Sequence, residues 1–144
     1  MDLDTVRTGR TGLSVSELAL GTARFGDEHD DGTEEVDRET AHALLDRHAA
    51  AGGDVVDLAD VYGGGAAERY VGDWLADRDR ERFVLASEVY WPTDPDDPDR
   101  QGLNRKRLRR QVGRISDRLD ITAVPSLRDH YTTTAVMAFF RLVD

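Results

Sequence analysis

The run FVLASEVY at residues 83–90 opens on continuous apolar residues, with none of the alternation of a half-solvated strand. A strand covered on both faces reads this way, and it belongs in a parallel sheet flanked by helices. Residues 17–23 (ELALGTA) and 54–59 (DVVDLA) read as two further strands. Helical periodicity separates them. From Arg38, the residues Ala41, Leu44, Leu45, His48 and Ala49 recur at helical spacing, with His48 as a packed or snorkelling helix residue and Gly52–Gly53 as a stop. Tyr70, Val71, Trp74 and Leu75 share one side of a second helix. Leu108, Val112, Ile115 and Leu119 form the stripe of a third, capped by Asn104, whose arginines go to the other, solvated faces.

The remainder is punctuation and ends. The first 17 residues, with TGRTG at their centre, suggest a short hairpin. The acidic tract at residues 26–37 and the Pro- and Asp-rich stretch WPTDPDDPDRQG (91–102) read as loops. Residues 121–127 make a poor strand because Pro125 removes a ladder donor, and residues 132–144 read as a closing helix.

Strand and helix alternating about four times imply right-handed parallel crossovers. A dinucleotide-binding doubly wound sheet requires G-x-G-x-x-G after its first strand, and LGTARFG lacks it. The expected fold class is therefore α/β: a partial, half-sized (β/α) barrel of about four units with an N-terminal β-hairpin, residues 1–144 forming one domain. Such barrels place chemistry at the C-terminal ends of strands, where Asp57, Glu88 and His130 fall.

Charge narrows the partners. With 29 acidic against 19 basic residues, the net charge of −10 repels nucleic acid and anionic membrane surfaces. The acids are mostly Asp and Lys106 is the sole lysine, a halophilic pattern; codon bias in a GC-rich genome is the alternative. Without cysteine, thiolate nucleophiles and Cys-ligated zinc drop out. With no signal pattern and no spanning apolar run, a cytoplasmic protein is expected.

The stretches TGRTGLSVSELALGTARFG, AGGDVVDLADVYGGGAAERYVGDWL, RFVLASEVYWP and GLNRKRLRRQVGRISDRL together resemble, in order and spacing, the N-terminal half of aldo-keto reductases. That resemblance implies a (β/α)8 barrel using NADPH or NADH to reduce a small carbonyl substrate, with a tyrosine as acid assisted by a lysine, an aspartate and a histidine. It matches Tyr62 to the acid, Asp57 to the aspartate, His130 to the substrate-orienting histidine, and Gly21 and Thr22 to backbone near the nicotinamide. The proline and charges of AVPSLRD depart from the family's apolar strand before His130.

The main departure is Glu88, which stands where the family carries its lysine. A cation beside a phenol stabilises phenolate and an anion opposes it. At ~4 Å and an effective dielectric of ~20, each charge contributes about 4 kcal/mol, so a quarter of the reversal exceeds one pKa unit. Weak or absent activity of this chain alone is expected. Two alternatives stand beside it: an interaction module, or half of a two-chain barrel, pairing with itself or a partner through open sheet edges; and a divalent-metal site at Asp57, Glu88 and His130.

Overall fold

The computed structural model describes residues 2–29 and 32–121, and the backbone of residues 126–128 and 136–141. Strands β1 (Thr5–Arg7) and β2 (Ser14–Ser16) pair antiparallel as the expected hairpin. Three βα units follow: β3 (Ala19–Gly21) with α1 (Arg38–Ala50), β4 (Val55–Ala59) with α2 (Ala66–Leu75), and β5 (Val84–Val89) with α3 (Arg105–Leu119). Strands β3, β4 and β5 run parallel in that spatial order, making part of a barrel wall.

Local chemistry fixes the helix starts. The Asp37 carboxylate accepts from the Thr40 amide at 2.8 Å, and the Asn104 side chain accepts from the Arg107 amide at 2.9 Å. Val56, Leu58, Leu85 and Val89 form one core with Ala41, Leu45, Val71, Trp74, Leu75, Ile115 and Leu119. Burying each large aliphatic there contributes about 1.5–3 kcal/mol. Trp74 meets Phe83 edge-on at 4.9 Å. Gly72 lets α2 close on α3, because a β-carbon there would strike the Arg118 carbonyl.

Three expectations need correction. The stretch read as a closing helix carries β7 (Val136–Arg141), which pairs antiparallel with β5 and, on its other side, antiparallel with β6 (Ser126–Arg128). Strands β3, β4, β5 and β6 thus share one direction, with the antiparallel β7 inserted between β5 and β6. VMAFFR is rich in β-branched and aromatic residues, and the far edge of β5 offers unpaired backbone groups for it to satisfy.

The acidic tract is also more than a solvated loop. Phe25 bridges Val36 and is 2% exposed, and Glu34 accepts the Tyr70 hydroxyl on both oxygens, at 2.7 and 2.8 Å. Finally, the arginines of α3 are not all solvated: the face turned to the sheet buries Arg107, Gln111, Ile115 and Leu119, while Leu108 and Val112 are half-buried. In the first half of the helix the stripe is shifted by one residue from the purely apolar one, 107 and 111 replacing 108 and 112, because Arg107 and Gln111 have a buried carboxylate to meet.

Candidate active site

Side chains alternate across a strand, so β4 sends Val56 and Leu58 to the helices and Asp57 to the opposite face. Register places Ala59 beside Glu88 and Asp57 beside Ala86, so Asp57 and Glu88 share that face as diagonal neighbours near the strands' C-terminal ends. Gly21 pairs with Asp57. Thr22, fully buried, grips the Asp57 carbonyl twice, through its amide at 3.1 Å and its hydroxyl at 2.8 Å. The backbone carrying Asp57 is thereby held from the neighbouring strand end.

Tyr62 begins a 3-10 turn, Tyr62–Gly65, immediately after β4. Gly63, Gly64 and Gly65 all adopt positive φ, at 52°, 59° and 88°. Residues with a β-carbon rarely accept this region, and at Gly65 a β-carbon would also collide with the Arg118 guanidinium. The turn folds Tyr62 back onto the core, where the ring packs half-buried.

The electrostatics of the three titratable residues, Asp57, Glu88 and Tyr62, run one way. Burial pushes the Asp57 carboxyl up. Burial, then Asp57, then Asp60 push Glu88 up. The Tyr62 phenol is raised above its ordinary value first by burial, then by Asp57 and by Glu88. The anion at position 88 therefore acts in the expected direction, but loss of water is the larger cause. Among the described residues, no hydrogen bond or ion pair reaches the side-chain carboxyl of Asp57 or Glu88.

Behind the sheet the pattern reverses. Asp60, 2% exposed, accepts on Oδ2 from Arg107 Nη2 at 3.0 Å and from Gln111 Nε2 at 2.5 Å. Arg107 also donates to the carbonyls of Tyr90 and Trp91, each at 2.6 Å, and of Gly102 at 3.1 Å, so it ties the loop after β5 to the end of β4. Glu68 accepts from Ser87 Oγ at 2.9 Å and Arg118 Nη1 at 2.6 Å; burial still pushes its carboxyl up against the pull of Arg118. The sequence reading missed all of these residues. The i, i+4 series 107, 111, 115, 119 was the signal for the helix face, hidden because half of it is polar.

His130 lies outside the described residues, so the structure brings together Gly21, Thr22, Asp57, Tyr62 and Glu88 only. Among the described residues, no group of three or more His, Asp or Glu side chains is arranged to hold a metal ion. No helix among them is long and apolar enough to cross a membrane.

A wall of parallel strands, with a carboxylate and a phenol at one strand end, marks part of a (β/α) barrel, and comparison identifies its family. The sequence profile of the Aldo/keto reductase family matches residues 17–134, and the chain belongs to that family. Norsolorinic acid reductase stcV of Emericella nidulans is 40% identical over 107 residues, covering 70% of this chain and 28% of that protein. Protein tas of Escherichia coli is 33% identical over 148 residues, covering 94% of this chain and 40% of that protein. An aldo-keto reductase from Klebsiella pneumoniae, solved in complex with NADPH, superposes with a TM-score of 0.60 at 30% identity, over 83% of this chain and 36% of that one. The chain spans less than half the length of each.

Proposed function

We propose that this chain carries the hydrogen-transfer end of a nicotinamide-dependent carbonyl reductase, in a form that is weak or inactive when these 144 residues act alone. The observation that supports this most directly is the clustering of Asp57, Tyr62, Gly21 and Thr22 at adjoining strand ends of a family barrel wall. In this reading Tyr62 is the proton donor to the carbonyl oxygen, and Asp57 and Glu88 tune it. His130 orients the substrate.

A nicotinamide fits beside Gly21, where a β-carbon would meet nothing within 4 Å, so the strand end is open to a flat ring. Gly21 would border it with its exposed backbone, and Thr22, bonded to the Asp57 carbonyl, would hold that strand end in place beside it; when bound, the nicotinamide supplies the hydride. The Klebsiella relative was solved with NADPH and stcV is named for norsolorinic acid, which supports NADPH or NADH as coenzyme and a carbonyl compound as substrate. Glu88 leaves the phenol without the cation that would ease proton release. The later strands that complete a family coenzyme cleft are not among these residues.

Coenzyme oxidation by the purified chain, followed with small aldehydes, tests the proposal. Little or no turnover is expected, with a gain on Glu88→Lys. Turnover at rates ordinary for the family would overturn the role given to Glu88, and a Glu88→Lys protein that binds NADPH yet gains nothing would do the same.

The outer edge of β3 has no strand beside it among the described residues, which favours a second reading in which that edge joins another chain. Sedimentation at high salt decides: a lone folded monomer argues against it.

A further inference from the structure

Helix α3 carries seven of the chain's 19 basic residues and a single acid, Asp117, in a molecule whose net charge is −10. Arg107 and Arg118 are taken by buried acids, and Lys106 by Asp99 at 2.5 Å. The other four, Arg105, Arg109, Arg110 and Arg114, make no ion pair among the described residues. Arg110 and Arg114 reach only uncharged oxygens, the Asp99 carbonyl and Gln111 Oε1. Arg105 with Arg109, and Arg110 with Arg114, stand four residues apart, a spacing at which like charges oppose the helix that carries them.

Between these two rows, around the helix axis, lies Gly113, which is exposed. A glycine inside a helix costs stability relative to alanine. A β-carbon at Gly113 would meet nothing within 4 Å, so no neighbour among the described residues requires its absence. Gly72, the other glycine within an α-helix here, shows what such a position serves: α2 closes on α3 there, and a β-carbon would strike the Arg118 carbonyl. Gly113 offers the same bare backbone on the outward face of α3. Two like-charged rows and a glycine between them burden one helix face three times over, and one kind of partner answers all three.

We propose that the outward face of α3 docks an acidic helix of a partner protein, which crosses at Gly113 and sets carboxylates at i, i+4 spacing against the two arginine rows. The bare glycine lets the two backbones approach closely, and the carboxylates give each guanidinium the planar partner it lacks. A short acidic helix is favoured over nucleic acid. A long polyanion would run past α3 onto a surface that repels it, whereas a single helix stays within the cationic face.

The test is an NMR titration of the 15N-labelled 144-residue protein in dilute buffer, where exposed charges are least screened. The probe is a helical alanine-frame peptide carrying glutamates at i, i+4 spacing, set against the same peptide with glutamines and against oligothymidylate. The glutamate peptide is expected to shift the backbone amides of Arg109 and Gly113 saturably, and the glutamine peptide to leave them unmoved. Arg109→Glu should weaken binding about tenfold or more, while Arg10→Glu, an equal charge change in the exposed hairpin turn, should cost less than about twofold. Gly113→Gln should melt about 2–4 °C higher, having lost a helix glycine, yet bind about fivefold more weakly. No saturable response to the glutamate peptide would overturn the proposal, as would equal binding of the glutamine peptide or of oligothymidylate. Equal losses from Arg10→Glu and Arg109→Glu would reduce the attraction to net charge and overturn it too. So would unchanged binding by Gly113→Gln, or a Gly113→Gln protein that melts lower, since the glycine would then serve its own fold. Concentration-dependent shifts of the same amides without peptide would give the face to a second copy of this chain instead.

Discussion

The two faces of one sheet treat their carboxylates in opposite ways. On the helix side Asp60 and Glu68 are each met by an arginine from α3, at 3.0 and 2.6 Å. On the other side Asp57 and Glu88 meet no cation among the described residues, and both are pushed toward the protonated form by burial. Among the described residues the fold delivers arginines to buried acids on the helix side alone, so leaving an acid uncompensated is not a packing necessity. Compensated charge anchors loops here; uncompensated charge sits where reaction chemistry is expected.

The contrast breaks most visibly at Arg107. Arg107→Met leaves the buried Asp60 carboxylate without its cation and takes a donor from three loop carbonyls, and should lower unfolding free energy by about 3–5 kcal/mol in denaturant titrations. A loss under 1 kcal/mol would mean the helix side is no better anchored than the site. Arg118→Met should remove less, about 2 kcal/mol, since that side chain is 20% exposed and holds fewer partners.

On the site face, Glu88→Lys brings in the missing cation. The Tyr62 phenol should then ionise at least about one pH unit lower, read by phenolate absorbance with Tyr62→Phe as the blank. An unmoved phenol would show that burial alone governs it.

The smallest effect is a pH dependence. Folding raises the Glu88 pKa, so its share of stability is fully present below the ordinary carboxylate value of about 4.3 and is lost as pH rises through the raised value. Glu88→Gln removes that dependence. At neutral pH it should exceed the parent by a few tenths of a kcal/mol, up to about 1 after solvent screening, and the gap should close near pH 4. Paired thermal melts at the two pH values measure it.

The sequence showed the βα units plainly because their signals are local: Asn104 caps, Gly52 and Gly53 stop, and apolar runs mark buried strands. Position 88 was equally legible as a reversed charge. That burial outranks charge at Tyr62 was not, since desolvation depends on what packs around the ring. Buried Arg107 looks like its exposed neighbours Arg105 and Arg109 in RKRLRR; only tertiary contact with Asp60 distinguishes them. The same holds for VMAFFR, whose apolar residues suit a helix until the free edge of β5 supplies a ladder.

The internal pairing of Asp60 and Glu68 with Arg107 and Arg118 has a consequence for the molecule's response to ionic strength. Setting aside two acids of 29 and two bases of 19 leaves 27 and 17, so the full excess of ten negative charges remains outside these pairs. Dissolved ions screen mutual repulsion across that coat within a Debye length of about 8 Å at 0.15 M, yet scarcely reach partners shut away from water. Changing the buffer from dilute to molar potassium chloride therefore retunes the exterior while the inner clasp stays as it was.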